Sequence, residues 1–355
     1  MYPQLPVKAL PGDHDRAKRF FELVDALANK RVAVVGDVIA DEFIYGRIER
    51  VSREAPVLIL NYDSTDVVAG GAGNAANNLA ALGGQARLCG LLGRDGVGER
   101  LVAGLHASVK TTGLVRPRGY ATPTKTRILA GGVHSAKQQV VRIDKTSPGV
   151  DAQAGRMFAS AVRRAVSGCD AVILSDYGSG LVTPTLAAAV ARDLARRGRR
   201  RPIPVVVDSR HRLLDYRGFT ACTPNEGEVE QLLDVTIGDD GEALERAGRG
   251  LLKRLQMKAV LITRGSRGMA LFERRKRTVH IPIFGSDEIA DVTGAGDTVI
   301  ATLALALSAG ASMYEAARLA NYAGGLVVMK RGTATVTAEE LRGAVEADHD
   351  LPELL

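Results

Sequence analysis

The sequence lacks tryptophan, has few aromatic residues and contains no apolar run long enough to cross a bilayer. A membrane-spanning helix needs about 20 consecutive apolar residues. The longest candidate, residues 299–307, is much shorter and begins just after Asp297. The N-terminus does not show a basic segment followed by an apolar one, so no secretory signal is predicted. We therefore expect a cytoplasmic protein without a membrane partner.

The chain also has only three cysteines, Cys89, Cys169 and Cys222. They do not follow a zinc-binding spacing and lie in mostly apolar contexts, which indicates buried thiols in a reducing compartment. We expect neither a disulfide nor a zinc site. The sequence has no G-x-x-x-x-G-K-[ST] motif, which excludes a P-loop, and no complete G-x-G-x-x-G follows a strand pattern.

Positive charge exceeds negative charge, with 47 Lys and Arg against 40 Asp and Glu, a net charge of +7. Nucleic-acid binding is one explanation, supported by basic runs at residues 196–201 and 274–277. However, the first run follows a helical pattern whose C-terminus favours cations, and the second lies between two strand patterns, as in an exposed hairpin tip. Phosphorylated small molecules explain the charge equally well. We therefore expect no nucleic-acid partner.

The order of helix and strand patterns predicts an α/β fold, a doubly wound and mostly parallel sheet flanked by helices. Residues 1–30 are interpreted as an N-terminal extension with an amphipathic helix from Arg16 to Ala28. Residues 31–345 form the main domain, in which strands and helices alternate regularly after about residue 151. Residues 346–355 are interpreted as a C-terminal tail. At 46% hydrophobic residues, the chain can bury a large core.

Strand patterns at residues 41–62 and 123–144 interrupt this alternation and predict a small antiparallel β lid over the sheet. The lid strands carry charged residues on one face and apolar residues on the other. The apolar residues are more than a lid can bury alone, which predicts a homodimer through the lid. They include Phe43, Val57, Ile59 and Ile128.

Polar residues follow the strands of the predicted parallel sheet. The carboxyl ends of such strands meet at one edge, where ligands bind. Asn225 and Glu228 lie one helical turn apart and could together hold a hydrated magnesium ion and its phosphates. The polar strand ends are Asp37 with Asp41, Asp176-Tyr177, Asp208-Ser209-Arg210, Thr223-Pro224-Asn225 and Thr263-Arg264-Gly265.

Two glycine-rich segments precede helical patterns. The first, at residues 69–78, permits close approach by a ligand, and Asn74 in it offers a donor and an acceptor that suit a polyol, although a plain turn explains the segment equally well. The second, at residues 291–298, precedes an apolar helix whose first amides predict a cradle for a phosphate or oxyanion. An acid at Asp297 would fit there as a general base, or else as a helix N-cap without a chemical role.

The run from Gly70 through Asn74 to Gly83 and Gly93, together with Asp291 to Asp297, resembles the two signature motifs of the ribokinase-like (PfkB) carbohydrate kinases. The resemblance extends over about residues 31–345 and is greatest to the heptose 7-phosphate kinases of that family. Other matching segments are Val35-Gly36-Asp37-Val38, Glu54-Ala55-Pro56-Val57, Leu174-Ser175-Asp176-Tyr177, Thr223-Pro224-Asn225 and Gly332-Thr333. The resemblance implies ATP and Mg²⁺ as cofactors, allows for a monovalent cation, and implies a sugar phosphate as substrate.

The resemblance also implies roles for individual residues. Asp297 is expected to be the general base, and Gly294, Ala295 and Gly296 the anion hole. On the nucleotide side the implied residues are Asn225, Glu228 (binding the metal through water), Thr263, Gly265 and Asn321. On the sugar side they are Asp37, Gly71 and Asn74. We add Arg210 on the nucleotide side, and Asp41 on the sugar side because it lies near Asp37 at the same strand end.

Two features depart from the heptose kinases. They typically read Asp-Pro-Lys after the fourth core strand, where this chain has Asp208-Ser209-Arg210. Because arginine is also a permanently charged phosphate donor, we expect Arg210 to replace that lysine. Bifunctional heptose enzymes carry a nucleotidyltransferase domain as well, and we expect that second activity to be absent, since no such domain follows residue 345.

The resemblance to the heptose kinases implies D-glycero-β-D-manno-heptose 7-phosphate as the substrate, phosphorylated at O1 to the 1,7-bisphosphate used in lipopolysaccharide core synthesis. A sugar that already bears phosphate needs cations far from the base. Candidates on or beside the lid are Arg53, Lys125, Arg127 and Arg142, which could instead be solvated edge charges. A kinase for ribose, fructose phosphate or adenosine, or a sensor without catalysis, would also be compatible with the motifs. A nucleoside substrate is disfavoured, because the lid has few aromatic residues on which a base could stack.

Overall fold

The computed structural model describes residues 13–131, 137–147, 149–196, 202–285, 291–330 and 332–348. Ten α-helices occur in these residues: α1 (Asp13–Ala26), α2 (Ala72–Ala81), α3 (Gly96–Ala103), α4 (Ala152–Ala165), α5 (Pro184–Ala195), α6 (Glu226–Leu233), α7 (Gly241–Leu255), α8 (Ala295–Ser308), α9 (Met313–Val328) and α10 (Ala338–Ala347). Thirteen strands occur in the same residues: β1 (Arg31–Gly36), β2 (Val38–Val51), β3 (Leu58–Gly71), β4 (Gln85–Leu91), β5 (Lys110–Val115), β6 (Thr124–Gly131), β7 (Gln138–Lys145), β8 (Ala171–Asp176), β9 (Val205–Ser209), β10 (Ala221–Cys222), β11 (Ala259–Thr263), β12 (Met269–Glu273) and β13 (Val279–Ile281).

Nine strands form one large sheet in the order β13-β12-β11-β10-β9-β8-β1-β4-β5. The pairings from β11 through β5 are parallel, and β12 and β13 add antiparallel strands at one edge. Strand order reverses around β1, because the chain builds outward from β1 first toward β5 and then toward β13. The predicted doubly wound, mostly parallel sheet is confirmed.

The sheet is buried on both faces, and β1 shows how its sequence achieves this. Side chains alternate between the two faces of a strand. Val32 and Val34 pack into a core with α1, α2, α8, α9 and α10. Ala33 and Val35 point the opposite way, into a core with α4, α5 and α7. A strand covered on both faces must therefore be apolar throughout.

A second, four-stranded sheet has the order β3-β2-β6-β7. Its outer pairs are antiparallel, and β6 lies parallel to β2 at its centre. The strands β2 and β3 are much longer than predicted, and they join the main domain at Val38 and Gly71. The four-stranded sheet is called the lid below, and its β2–β3 hairpin starts and ends beside the C-terminal end of β1.

The lid leaves apolar side chains uncovered in this chain. Every residue of β7 is exposed. Exposed large apolar side chains on the lid are Ile48, Val51, Val57, Leu58, Tyr62, Val140, Val141 and Ile143. Of the four apolar residues named from the sequence, Val57 is exposed, whereas Phe43 is buried.

Among the described residues, four elements of the main domain were not predicted individually: α3, β5, α9 and α10. Helix α3 is only eight residues long and contains Gly96 and Gly98, both of which weaken a helical pattern. Asp95 caps it by accepting from the Gly98 amide at 2.8 Å. The glycine-rich stretch from residue 69 leads into a helix as predicted, but its first three residues complete β3 and do not form a turn.

The basic run at residues 274–277 lies exposed between β12 and β13, which confirms the predicted hairpin tip. Residues 197–201, the main part of the other basic run, lie outside the described residues. The three cysteines are buried. Among the described helices, none combines the length and the apolar character that a bilayer crossing requires.

Candidate active site

Asp297 lies at the start of α8, in the first turn, and is 4% exposed. The helix begins after Gly294, whose φ of 82° is a left-handed conformation that suits glycine. A Cβ at Gly294 would also lie 2.5 Å from Asn74 Nδ2. The Ala295 amide donates to the Val292 carbonyl at 3.2 Å. No described group accepts from the amides of Gly296 and Asp297, which are therefore available to an anion.

Both oxygens of the Asp297 carboxyl group are hydrogen-bonded. Asn74 Nδ2 donates to Oδ2 at 2.9 Å, and the Tyr177 hydroxyl donates to Oδ1 at 3.0 Å. Burial raises the pKa of Asp297 to about 6, an effect that these two donors oppose. Asp297 is therefore ionised at neutral pH, yet it is a much better proton acceptor than an exposed aspartate.

A cavity of about 450 Å³ opens beside Asp297 along the C-terminal edge of the large sheet. It brings together residues from strand ends that are far apart in sequence, as the parallel topology predicts. Among its lining residues are all of the nucleotide-side residues named from the sequence: Arg210, Asn225, Glu228, Thr263, Gly265 and Asn321. The three anion-hole residues, Gly294, Ala295 and Gly296, line it as well.

Within this cavity, Asn225 and Glu228 form a reciprocal cap at the start of α6. Asn225 Oδ1 accepts from the Glu228 amide at 2.8 Å, and Glu228 Oε2 accepts from the Asn225 amide at 2.9 Å. Burial raises the pKa of Glu228. Beside them, the buried Thr223 hydroxyl lacks a hydrogen-bond partner among the described residues. An unsatisfied buried hydroxyl at a cavity wall is a position where a polar ligand can bind.

Asp208 is another acid of this cavity. It is half-buried at the cavity wall, and burial raises its pKa to about 8. The nearby carboxyl groups of Asp297 and Glu228 act in the same direction, whereas Arg210 opposes them. No hydrogen bond to the Asp208 carboxyl group forms within the described residues.

A second cavity, of about 490 Å³, lies between the lid and the main sheet. Tyr177 and Arg210 line both cavities and so mark their boundary. Cationic side chains are prominent in the second one. They are Lys125, Arg142, Lys145 and Arg210, together with His211.

The sequence profile of the pfkB family carbohydrate kinases matches residues 29–340. The chain belongs to this family. It is 40% identical over 319 residues to the bifunctional protein HldE of Trichlorobacter lovleyi, covering 89% of this chain and 63% of that protein. Identity to the bifunctional protein HldE of Citrifermentans bemidjiense is 41% over 343 residues, covering 94% of this chain and 68% of that protein. The chain thus spans about two thirds of these relatives.

Similarity to solved structures agrees with the family assignment. The structure of Arabidopsis thaliana ribokinase complexed with ribose and ATP superposes with a TM-score of 0.69 at 20% identity, covering 90% of this chain and 100% of that chain. At this identity the similarity concerns the fold. The chain therefore has the ribokinase-like fold that its sequence motifs predicted.

On the sugar side of this PfkB chain, the predicted residues are already bonded to protein groups. Asp37 lines the second cavity, but its carboxyl group accepts from the Tyr177 amide at 2.7 Å and from the Ser179 hydroxyl. Asp41 pairs with Arg127 at 2.5 Å. Asn74 binds Asp297 rather than facing open space.

The predicted lid cations separate into two groups. Lys125 and Arg142 line the second cavity, although Arg142 also forms two hydrogen bonds with Asp144. Arg127 is committed to Asp41, and its guanidinium carbon lies 5.3 Å from the Phe43 ring centre. Arg53 is exposed in the turn between β2 and β3, at the end of the hairpin remote from both cavities.

Several residues that line the cavities had no role assigned from the sequence, among them Tyr177, Asp208, Lys145 and His211. Tyr177 and Asp208 belong to polar strand ends, which was their only available signal. Lys145 ends β7 and His211 follows Arg210, and neither position differs in sequence from an ordinary exposed one.

Proposed function

We propose that this chain is an ATP-dependent sugar-phosphate kinase that phosphorylates D-glycero-β-D-manno-heptose 7-phosphate at O1. The observation that supports the proposal most is the position of Asp297. Its buried carboxyl group, with a pKa of about 6, adjoins two free helix amides at a cavity, and its partner Tyr177 also lines a second, cationic cavity. The similarity to proteins named HldE supports a heptose phosphate as the acceptor.

In the proposed reaction, Asp297 accepts the proton of the acceptor hydroxyl as that oxygen attacks the γ-phosphorus of ATP. A bond forms between the sugar oxygen and phosphorus, and the bond between phosphorus and the β–γ bridging oxygen breaks, releasing ADP. The Gly296 and Asp297 amides donate to the oxygens of the transferring group, which stabilises its charge. Asp297 later returns the proton to solvent.

Magnesium would neutralise the nucleotide phosphates in this reaction. In the described part of the chain, no group of three acidic, histidine or cysteine side chains could hold a metal ion directly. Carboxylate and hydroxyl oxygens at the cavity wall, together with water, are the ligand type that magnesium would take there. Glu228, through water, and the Thr223 hydroxyl are the groups we assign to this side of the cavity.

We also propose that a monovalent cation binds in the neighbourhood of Asp291. Its carboxyl group accepts from the Gly332 amide at 3.1 Å and from the Thr293 amide at 2.9 Å, directly before the anion cradle. Nearby, the buried Thr333 hydroxyl has no partner among the described residues. These oxygens are the ligand type that hard cations take.

The second cavity is proposed to hold the sugar and its existing phosphate. Lys125, Lys145 and Arg210 supply positive charge there, and such charge would contribute little to an unphosphorylated sugar. We further propose that two chains associate through the lid, since its exposed apolar residues form a surface suited to a second copy.

The proposal is tested by ADP release from ATP with a panel of acceptors: heptose 7-phosphate, fructose phosphates, ribose and adenosine. We expect kcat/KM to be highest for heptose 7-phosphate by at least about tenfold. A preference for ribose or adenosine would refute the assigned acceptor but retain the kinase. Failure of every acceptor to stimulate ADP release would argue for a sensor without catalysis.

A further inference from the structure

Tyr177 occupies the boundary between the two cavities. It lines both of them, and its hydroxyl donates to Asp297 Oδ1 at 3.0 Å. The acceptor hydroxyl in the proposed reaction must reach this same carboxyl group. The hydrogen bond from Tyr177 therefore acts on the carboxyl group that serves as the base in the proposed reaction.

Contacts on several sides fix the position of Tyr177. Its amide donates to Asp37 Oδ2 at 2.7 Å. Gly71 lies against the ring with a φ of 55°, and a Cβ there would lie 3.4 Å from the ring and 2.6 Å from the Asp37 carbonyl oxygen. Two cations also lie over the ring: Lys125 Nζ is 5.3 Å and Arg210 Cζ 5.5 Å from its centre. Such cation–π contacts favour one ring orientation.

We infer that Tyr177 is a positioning residue for the general base, holding Asp297 Oδ1 with its hydroxyl so that the carboxyl group faces the junction of the two cavities. Asn74 holds Oδ2, so the two donors together fix the plane of the carboxyl group. A carboxylate oxygen can accept more than one hydrogen bond. Oδ1 therefore keeps a lone pair for the proton of the acceptor hydroxyl while Tyr177 remains bound.

The inference rests on the proposed function and adds an effect on protonation. A donor to a carboxylate stabilises its ionised form, so the Tyr177 hydroxyl lowers the pKa of Asp297 against the effect of burial. The other charged groups that act on Asp297 are Asp41 and Asp208, which disfavour its ionisation, and Lys125, which favours it. Removing the hydroxyl alone leaves these groups in place.

The first test is Tyr177→Phe, which keeps the ring and its two cation contacts. We expect kcat to fall about tenfold, the scale of one lost charge-assisted hydrogen bond, with KM for ATP and the sugar within about twofold. In a plot of kcat against pH, the fall in kcat on the acidic side, which reports protonation of Asp297, should move to higher pH. The matched control is Tyr322→Phe, which removes a buried hydroxyl bonded to Asp348 outside both cavities and should leave the profile unchanged.

A second measurement needs no substrate. The Asp297 carboxyl carbon can be titrated by NMR in protein labelled at aspartate, with Asp297→Asn to assign the signal. We expect Tyr177→Phe to raise the pKa of Asp297, and this result would stand even if the acceptor sugar were misassigned. An unshifted titration, or a kcat that is unchanged or increased, would overturn the inference. An inactive wild-type chain whose Asp297 titration does respond to Tyr177→Phe would refute the proposed function alone.

Discussion

The side-chain amide of Asn74 donates a hydrogen bond to Asp297 Oδ2 at 2.9 Å and so links α2 to the first turn of α8. The amide is itself held, because Asn78 donates to Asn74 Oδ1 at 3.1 Å. The hydroxyl of Thr298, the neighbour of Asp297, donates to Asn78 Oδ1 at 3.0 Å and so connects this network back to α8. The glycine-rich segment thus positions the carboxyl group through a buried network, in which both side-chain amides have their orientation set.

Asp297→Asn tests the role of the carboxyl group. We expect kcat to fall by about 10²–10⁴, the usual range for loss of a general base, because asparagine cannot accept the proton. The fold and the affinity for ATP should persist, as measured by circular dichroism and calorimetry. Turnover close to that of the wild type would refute the assignment of the base.

Asp208→Asn should stabilise the fold at high pH. The Asp208 carboxyl group has a pKa of about 8 when folded and about 3.9 when unfolded, so the folded chain retains a proton that the unfolded chain releases between these values. Stability therefore falls as pH rises through this window, and the cost is fully present above pH 8. We expect the variant to gain roughly 1–3 kcal/mol in its free energy of unfolding at pH 9 and almost nothing at pH 4.

Denaturant unfolding at several pH values measures this difference. The control is Asp239→Asn, whose side chain is 95% exposed and which should change stability by less than about 0.5 kcal/mol. An equal effect of the two substitutions would mean that the Asp208 charge is well solvated.

Arg210→Ala tests whether arginine serves where related kinases have lysine. We expect KM for ATP or for the sugar phosphate to rise about tenfold, because a permanent cation at the boundary of both cavities is lost. Arg210→Lys should retain most of the affinity. Arg212→Ala is a suitable control, since Arg212 is in the same loop but pairs with Asp215. Unchanged kinetics in Arg210→Ala would mean that this loop does not contact phosphate.

The lid dimer can be tested at Leu58, which is 42% exposed on β3. We expect the wild type to be a dimer by light scattering at micromolar concentration, and Leu58→Asp to shift it to the monomer, because a charge would be buried at the apolar contact. Val235→Asp alters an equally exposed apolar residue away from the lid and should leave the dimer intact. A monomeric wild type would exclude association through the lid at that concentration.

The sequence predicted most of the main sheet, because strands such as β1 are almost wholly apolar and polar residues follow them at regular intervals. It did not predict α3, where Gly96 and Gly98 obscure the helical pattern. The nucleotide side was easier to anticipate than the sugar side, because strand ends meet at one edge in any parallel sheet. The partners of Asp41 and Asn74 come from distant segments, and sequence spacing carries no information on them.

The most direct test of the account compares heptose 7-phosphate with unphosphorylated heptose as acceptors. Lys125 and Arg142 line the second cavity, and burial together with the nearby charge of Arg210 lowers the pKa of Lys125. We predict that wild-type kcat/KM favours the phosphorylated sugar by at least about 100-fold, and that Lys125→Ala or Arg142→Ala reduces this preference about tenfold or more. Equal use of both sugars by the wild type, or indifference of the phosphorylated sugar to both substitutions, would contradict the proposed function.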